Sequence, residues 1–202
     1  MNAVFILVGI CIALFALQAA IPGFTGQFAL VSAQVVERPW TLVTAIFLHG
    51  DLPHLLFNMF ALALFGIILE NIVGRKRFLW IFFAGGILAS VGSVFLYTAA
   101  VGASGAIFAV LGALAILRPR MQVWVSFVPM PMIVAAAVWA IGDFIGLFVP
   151  TGIANLAHLV GLGFGLGSGL YLHNRFGERA DGREIYQLDE KEVEDWEKKW
   201  MR

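Results

Sequence analysis

Ionisable side chains are scarce in this sequence. Asp, Glu, Lys and Arg make up 13% of its 202 residues, about half the share usual in soluble domains. Sixteen of these 26 charges lie in residues 173–202, leaving ten for the 172 residues before them. A stretch so poor in charge cannot be a soluble domain. Residues 1–172 read as an integral membrane domain, and residues 173–202 as a charged tail. The formal net charge is zero, which excludes the basic footprint of a nucleic-acid binder. The one cysteine, Cys11, lies in an apolar run, so there is no disulfide framework and redox compartment is not encoded. The first apolar stretch lacks a basic n-region and runs to about twenty residues, so it reads as a retained span rather than a signal peptide. An HExxH motif and an internal repeat are also missing, which argues against a helical zinc site and against many transporter folds. No metal or cofactor is expected.

What abounds is apolar sequence, 60% of the chain. Runs at residues 3–21, 52–72, 78–97, 103–117, 128–148 and 154–172 predict six membrane helices, an all-α bundle. The fourth, about 22 Å long at the helical rise, is too short to match lipid and belongs at the centre of the bundle. Direction follows from Lys and Arg in the connections. Arg75, Lys76 and Arg77 follow the second span, Arg118 and Arg120 the fourth, and seven basic residues follow the sixth. The loops after the third and fifth have none, and the long first loop has only Arg38. Both termini are therefore expected on the cytoplasmic side, with spans two, four and six starting at the outer face. The expected setting is a prokaryotic plasma membrane. The first loop carries an apolar stretch, residues 40–48, too short to cross. It is expected to lie partly in the outer leaflet, with Trp40 as an interface anchor.

Polar groups inside membrane spans are costly and default to function. His54 and Asn58, four apart and so on one helical face, open span two. Ser104 opens span four and His158 opens span six. All four fall within one or two turns of the outer face. Small residues support their convergence. Gly161, Gly165 and Gly169 form one stripe on span six, and Gly163 with Gly167 a second. Gly105, Ala109 and Ala113 repeat the spacing on span four. Such faces let helices approach closely, which would bring Ser104 to His158.

A serine hydroxyl is a weak nucleophile without an adjacent base. His158 is that base. The oxyanion of an acyl-transfer intermediate needs fixed donors, and Asn58, His54 and the Ser104 backbone N–H at a helix start can supply them. No acidic residue has an obvious place beside His158, so the reading is a dyad. Asp143, on span five about one to two turns from the outer face, could be proposed to orient His158, but a role in packing or substrate access is preferred.

Taken together, "HGDLPHLLFN" at residues 49–58, "GASG" at 102–105 and "AHLVGLGFG" at 157–165 resemble the rhomboid intramembrane serine proteases. The match covers a core of about residues 40–172. The resemblance implies a six-span fold and cleavage of peptide bonds in or beside transmembrane segments, without cofactor or metal. By the same resemblance Ser104 is the nucleophile, His158 its base, and His54 and Asn58 the oxyanion donors. His49 braces the first loop, Gly102 is the motif glycine, and Glu70 with Gly74 is structural. Trp40 matches a loop Trp-Arg pair whose arginine is here Thr41. Phe108 stands where some members stack a tyrosine on the histidine. The partners implied are transmembrane substrates and the lipid bilayer, with oligomeric state open. The alternative is an inactive relative that binds transmembrane segments, but such relatives typically lose the serine or the histidine. In the tail, Val193, Trp196 and Trp200 fit either a short amphipathic helix on the inner leaflet or a disordered charged segment.

Overall fold

The computed structural model describes residues 2–149 and 152–177. Six long helices carry the fold: α1 (Ala3–Ala20), α2 (Leu52–Val73), α3 (Arg75–Val94), α4 (Ser104–Leu117), α5 (Met132–Gly146) and α6 (Asn155–Phe176). α1, α2 and α3 are long and apolar enough to cross a membrane, and α4 and α5 are shorter apolar helices. The charged tail from residue 178 onward, with its expected amphipathic helix, lies outside the described residues.

α4 is buried on all sides, as a helix apolar all round must be. It is held between α3 and α6 by small residues. A Cβ added at Gly161, Gly165 or Gly169 would run into the backbone carbonyls of Gly105, Ala109 and Ala113. A Cβ at Gly105 would overlap Ala89 of α3. The stripe of Gly161, Gly165 and Gly169 is thus the contact face. Gly163 and Gly167 face open space and take no part.

One residue reverses the chain between α2 and α3. Gly74 has φ 81°, the left-handed region that favours glycine. The turn returns α3 beside α2 and lets it start three residues earlier than expected, at Arg75. At the same end the Glu70 carboxylate accepts the backbone N–H groups of Ala3 and Val4 (2.8 and 3.1 Å). It caps α1 across the bundle, satisfying two of the donors a helix start leaves open.

The fold is mostly helical, as expected, and two short strand pairings in its loops add to the helices. In the first loop, β1 (Leu30–Val31) pairs antiparallel with β2 (Ala99–Ala100) and ties that loop to the segment before α4. Between α4 and α5, β3 (Gln122–Val125) and β4 (Val128–Pro131) form a hairpin with Ser126 and Phe127 at positive φ. The fifth helix therefore begins at Met132 rather than residue 128. Pro129 and Pro131 explain the delay, because a residue before proline avoids the helical region. The first loop also contains short helices, Phe24–Phe28 and Thr41–Thr44. Trp40, ahead of the second, is 51% exposed. Arg38 rather than residue 41 supplies that loop's arginine bond, to Gly26 O (3.0 Å), while Thr41 Oγ1 donates to Arg38 O (2.7 Å).

Candidate active site

The starts of α2, α4 and α6 and the end of α5 meet around one serine. Asp51 caps α2, accepting the His54 N–H at 2.7 Å, and so sets the first turn. His54 and Asn58 then lie one above the other, and Asn58 Nδ2 donates one hydrogen to His54 O (2.8 Å). Asn58 Oδ1 is buried without a partner among the described residues. The Gly50 N–H donates to His54 Nδ1 at 3.4 Å, which leaves the ring proton of the neutral imidazole on Nε2. That edge lies against Gly102, where a Cβ would stand 2.8 Å from Nε2 and 3.8 Å from Ser104 Oγ. Gly102 has φ 129°, and its N–H is fixed to Ala45 O (2.9 Å). Only glycine satisfies both the backbone and the space.

Ser104 is the first residue of α4, where backbone N–H groups have no intrahelical acceptor. Its Oγ lies 2.9 Å from His158 Nε2. The His158 ring is stacked on Phe108, one turn along α4, with centroids 4.3 Å apart and planes 8° from parallel. α6 is capped by Tyr97, whose hydroxyl accepts the Leu156 N–H (3.0 Å).

The structure places a carboxylate beside His158, where the sequence left Asp143 as the less favoured choice. Asp143 Oδ1 lies 3.0 Å from His158 Nδ1, and the two side chains are 10% and 12% exposed. The reason is register. α5 and α6 are consecutive helices packed together, and Asp143 lies three residues before the end of one while His158 lies three after the start of the other. Equal distances from the connection place them side by side, a signal that was present in the sequence.

His49 is 1% exposed and lies edge-on to His54, with centroids 5.2 Å apart. Neither ring nitrogen has a hydrogen-bond partner among the described residues. Burial, reinforced by the neighbouring His54, pushes its pKa down from 6.5 to about 4. Its main chain is clamped by Gln18 of α1, whose amide donates to His49 O and accepts the His49 N–H, each at 3.0 Å. Gln18 also donates to Thr25 Oγ1. Sequence reasoning missed Gln18, because a side chain bonding to another residue's backbone leaves no pattern.

Two cavities meet at this serine. One, of about 760 Å³, is lined by His54, Asn58, Ser104, His158 and residues of the first loop and of the α5–α6 connection. The other, of about 610 Å³, is apolar and runs between α2, α4, α5 and the β3–β4 hairpin, past Phe57, Phe60, Phe65 and Trp139. Ser104 and Asn58 line both. Among the described residues no His, Cys, Asp and Glu side chains are grouped as a metal site would group them.

Comparison with known sequences shows the family. The Rhomboid domain profile matches residues 36–175. YdcA of Bacillus subtilis (strain 168) is 33% identical over 126 residues, 61% of this chain and 62% of its own length. The rhomboid protease GluP of the same bacterium is 49% identical over 76 residues, 37% of this chain and 15% of that protein. RHOMBOID-like protein 7 of Arabidopsis thaliana is 34% identical over 154 residues, 73% of this chain and 49% of its own length. The chain thus spans less than two thirds of the length of these curated relatives.

Proposed function

The chain belongs to the rhomboid family, and from that premise we propose that it is an intramembrane serine endopeptidase acting on transmembrane proteins. The observation that carries the reading is the 2.9 Å contact between Ser104 Oγ and His158 Nε2. It lies beside helix-start N–H groups and where an apolar cleft and a polar cavity join.

A substrate segment enters from the lipid side and frays, because a helix hides its carbonyls in its own ladder. Ser104 Oγ attacks the exposed carbonyl while His158 Nε2 takes the hydroxyl proton. The oxyanion is met by the Ser104 N–H, the His54 Nε2–H and the second hydrogen of Asn58 Nδ2. His158 returns the proton to the departing amine as the C–N bond breaks, leaving an acyl-enzyme on Ser104. Water from the polar cavity, deprotonated by His158, then hydrolyses the ester and frees the serine. The activity resides in the core, about residues 40–172, and the tail 173–202 is outside it. The segregation of basic residues supports both termini on the cytoplasmic side, with the site near the outer face; the proposed setting is a prokaryotic plasma membrane.

The inactive alternative is disfavoured because serine and histidine are both present and in bonding contact. Purified protein in detergent is incubated with a single-span reporter. Cleavage is expected, surviving chelators and falling by more than roughly 10³-fold in Ser104→Ala and His158→Ala. Cleavage that persists in Ser104→Ala refutes the reading.

A further inference from the structure

We propose that Asp143 is a positioning residue for His158, extending the serine–histidine pair to a relay of three and tying the base to α5. The inference rests on the protease reading above and concerns what tunes its base. Ionised Asp143 can only accept a hydrogen bond. At 3.0 Å from Nδ1, it holds the ring in the tautomer with the proton on Nδ1 and the lone pair of Nε2 facing Ser104 Oγ. When Nε2 takes the serine proton, the ring becomes an imidazolium, and a carboxylate at this distance stabilises it.

Three observations point to this role over packing. Asp143 is buried, and among the described residues no lysine or arginine pairs with it. A buried carboxylate needs a partner, and His158 is the partner it has. The other faces of the ring are taken by groups that cannot fix the tautomer: Phe108 stacks on it, and Ser104, which can donate or accept, meets Nε2. Among the described residues only Asp143 bonds Nδ1.

The placement on α5 has a consequence. Trp139, one turn before Asp143, walls the apolar cleft and packs edge-on against Phe65 of α2 and Phe108 of α4, at 6.3 and 6.5 Å between centroids. Phe108 in turn covers His158. The helix that borders the cleft therefore also carries the support of the base.

The test compares Asp143→Asn and Asp143→Ala with wild type and Ser104→Ala, all full-length in detergent. The readouts are kcat and KM on a single-span reporter, the labelling rate of Ser104 by a fluorophosphonate, and the melting temperature. Asparagine keeps the shape but removes the charge, and it can present Nδ2 to the ring and so stabilise the wrong tautomer. For Asp143→Asn we expect kcat to fall roughly 10²-fold, with labelling slowed in parallel, KM within about threefold and melting unchanged. Wild-type kcat and labelling in a well-folded Asp143→Asn overturn the inference. So does a rise in KM at constant kcat, which assigns Asp143 to substrate access, or a loss of kcat that only follows a loss of melting temperature. Should Asp143→Ala fail to fold, Asp143→Asn still decides. If wild type neither cleaves nor labels at Ser104, the protease reading itself fails, which is distinguishable from these outcomes.

Discussion

Replacing Gly161 by alanine would separate the rods that bring hydroxyl and imidazole together. Its added Cβ would overlap the carbonyl oxygen of Gly105, the residue next to Ser104. Backbone on both sides of the contact leaves no flexible side chain to yield. Restoring van der Waals distance requires α6 to back away from α4 by about 1 Å. Gly161 lies three residues after His158, nearly one turn along the same helix, so the displacement reaches the base almost undiminished. The Ser104–His158 distance of 2.9 Å then opens to about 4 Å, beyond hydrogen-bond range. Misplacement of a reacting pair by about 1 Å costs on the order of 10² in rate, and overpacking costs about 1–3 kcal/mol of stability. Gly163→Ala is the internal control. It sits two residues further along α6, and a Cβ there meets nothing within 4 Å. It gains the same helix propensity, up to about 1 kcal/mol, without the clash. Reporter cleavage and melting temperature of the two variants should diverge, Gly161→Ala slow and less stable, Gly163→Ala at wild-type rate. Equal rates and melting would show that the α4–α6 approach does not set the geometry of the pair.

Two further outcomes are expected. Gly102→Ala puts a side chain at φ 129° and drives its Cβ to 2.8 Å from the His54 ring; fluorophosphonate labelling and cleavage should both drop by at least roughly tenfold, as for loss of an oxyanion donor. For His49, the folded pKa of about 4 lies below the unfolded 6.5. The unfolded chain therefore binds the proton first as pH falls. Stability should be full above pH 6.5, decline between 6.5 and 4, and level off below, losing up to about 3 kcal/mol from this group. Denaturation of wild type and His49→Phe across that range measures it, and an identical pH dependence in the two would remove His49 as the cause.

How much of this was legible in the sequence depends on the kind of signal. Helices follow from long apolar runs, and each of the six lies where such a run occurs. Their ends moved where local chemistry intervened. Gly74 turns the chain early enough for α3 to begin with Arg75, and Pro129 with Pro131 hold back α5 until Met132. The two-residue pairing of Leu30–Val31 with Ala99–Ala100 was invisible, since strands that short have no period. Ser104 and His158 stand out because a small-residue stripe has a readable spacing that identifies which helices touch. Asp143 was visible as a buried charge, yet a place beside His158 was ranked below packing or substrate access. Counting from the outer face gave its depth, and counting outward from the α5–α6 connection would have given its neighbour. Gln18 left no trace, because what it holds is the backbone of His49, and backbone carries no sequence.

The short fourth helix accounts for the whole arrangement. Fourteen residues span about 21 Å, against a hydrocarbon core of about 30 Å. Such a helix cannot start and finish at both surfaces. In lipid its unpaired first N–H groups would be costly. Here they lie beside a polar cavity, enclosed by α2 and α6 and by the first loop that β1–β2 and Gln18 hold in place. On the proposed reading, a helix start sunk below the membrane surface would set Ser104 beneath the outer boundary while leaving it open to the polar cavity. The same short helix leaves the apolar cleft between α2 and α5 open along its side. Hydrolysis requires water, and a transmembrane substrate requires lipid-side access. A serine at the end of a full-length helix would have the first without the second. On the proposed protease reading, Ser104 at the top of a sunken helix, where both cavities touch it, would receive each from a different direction.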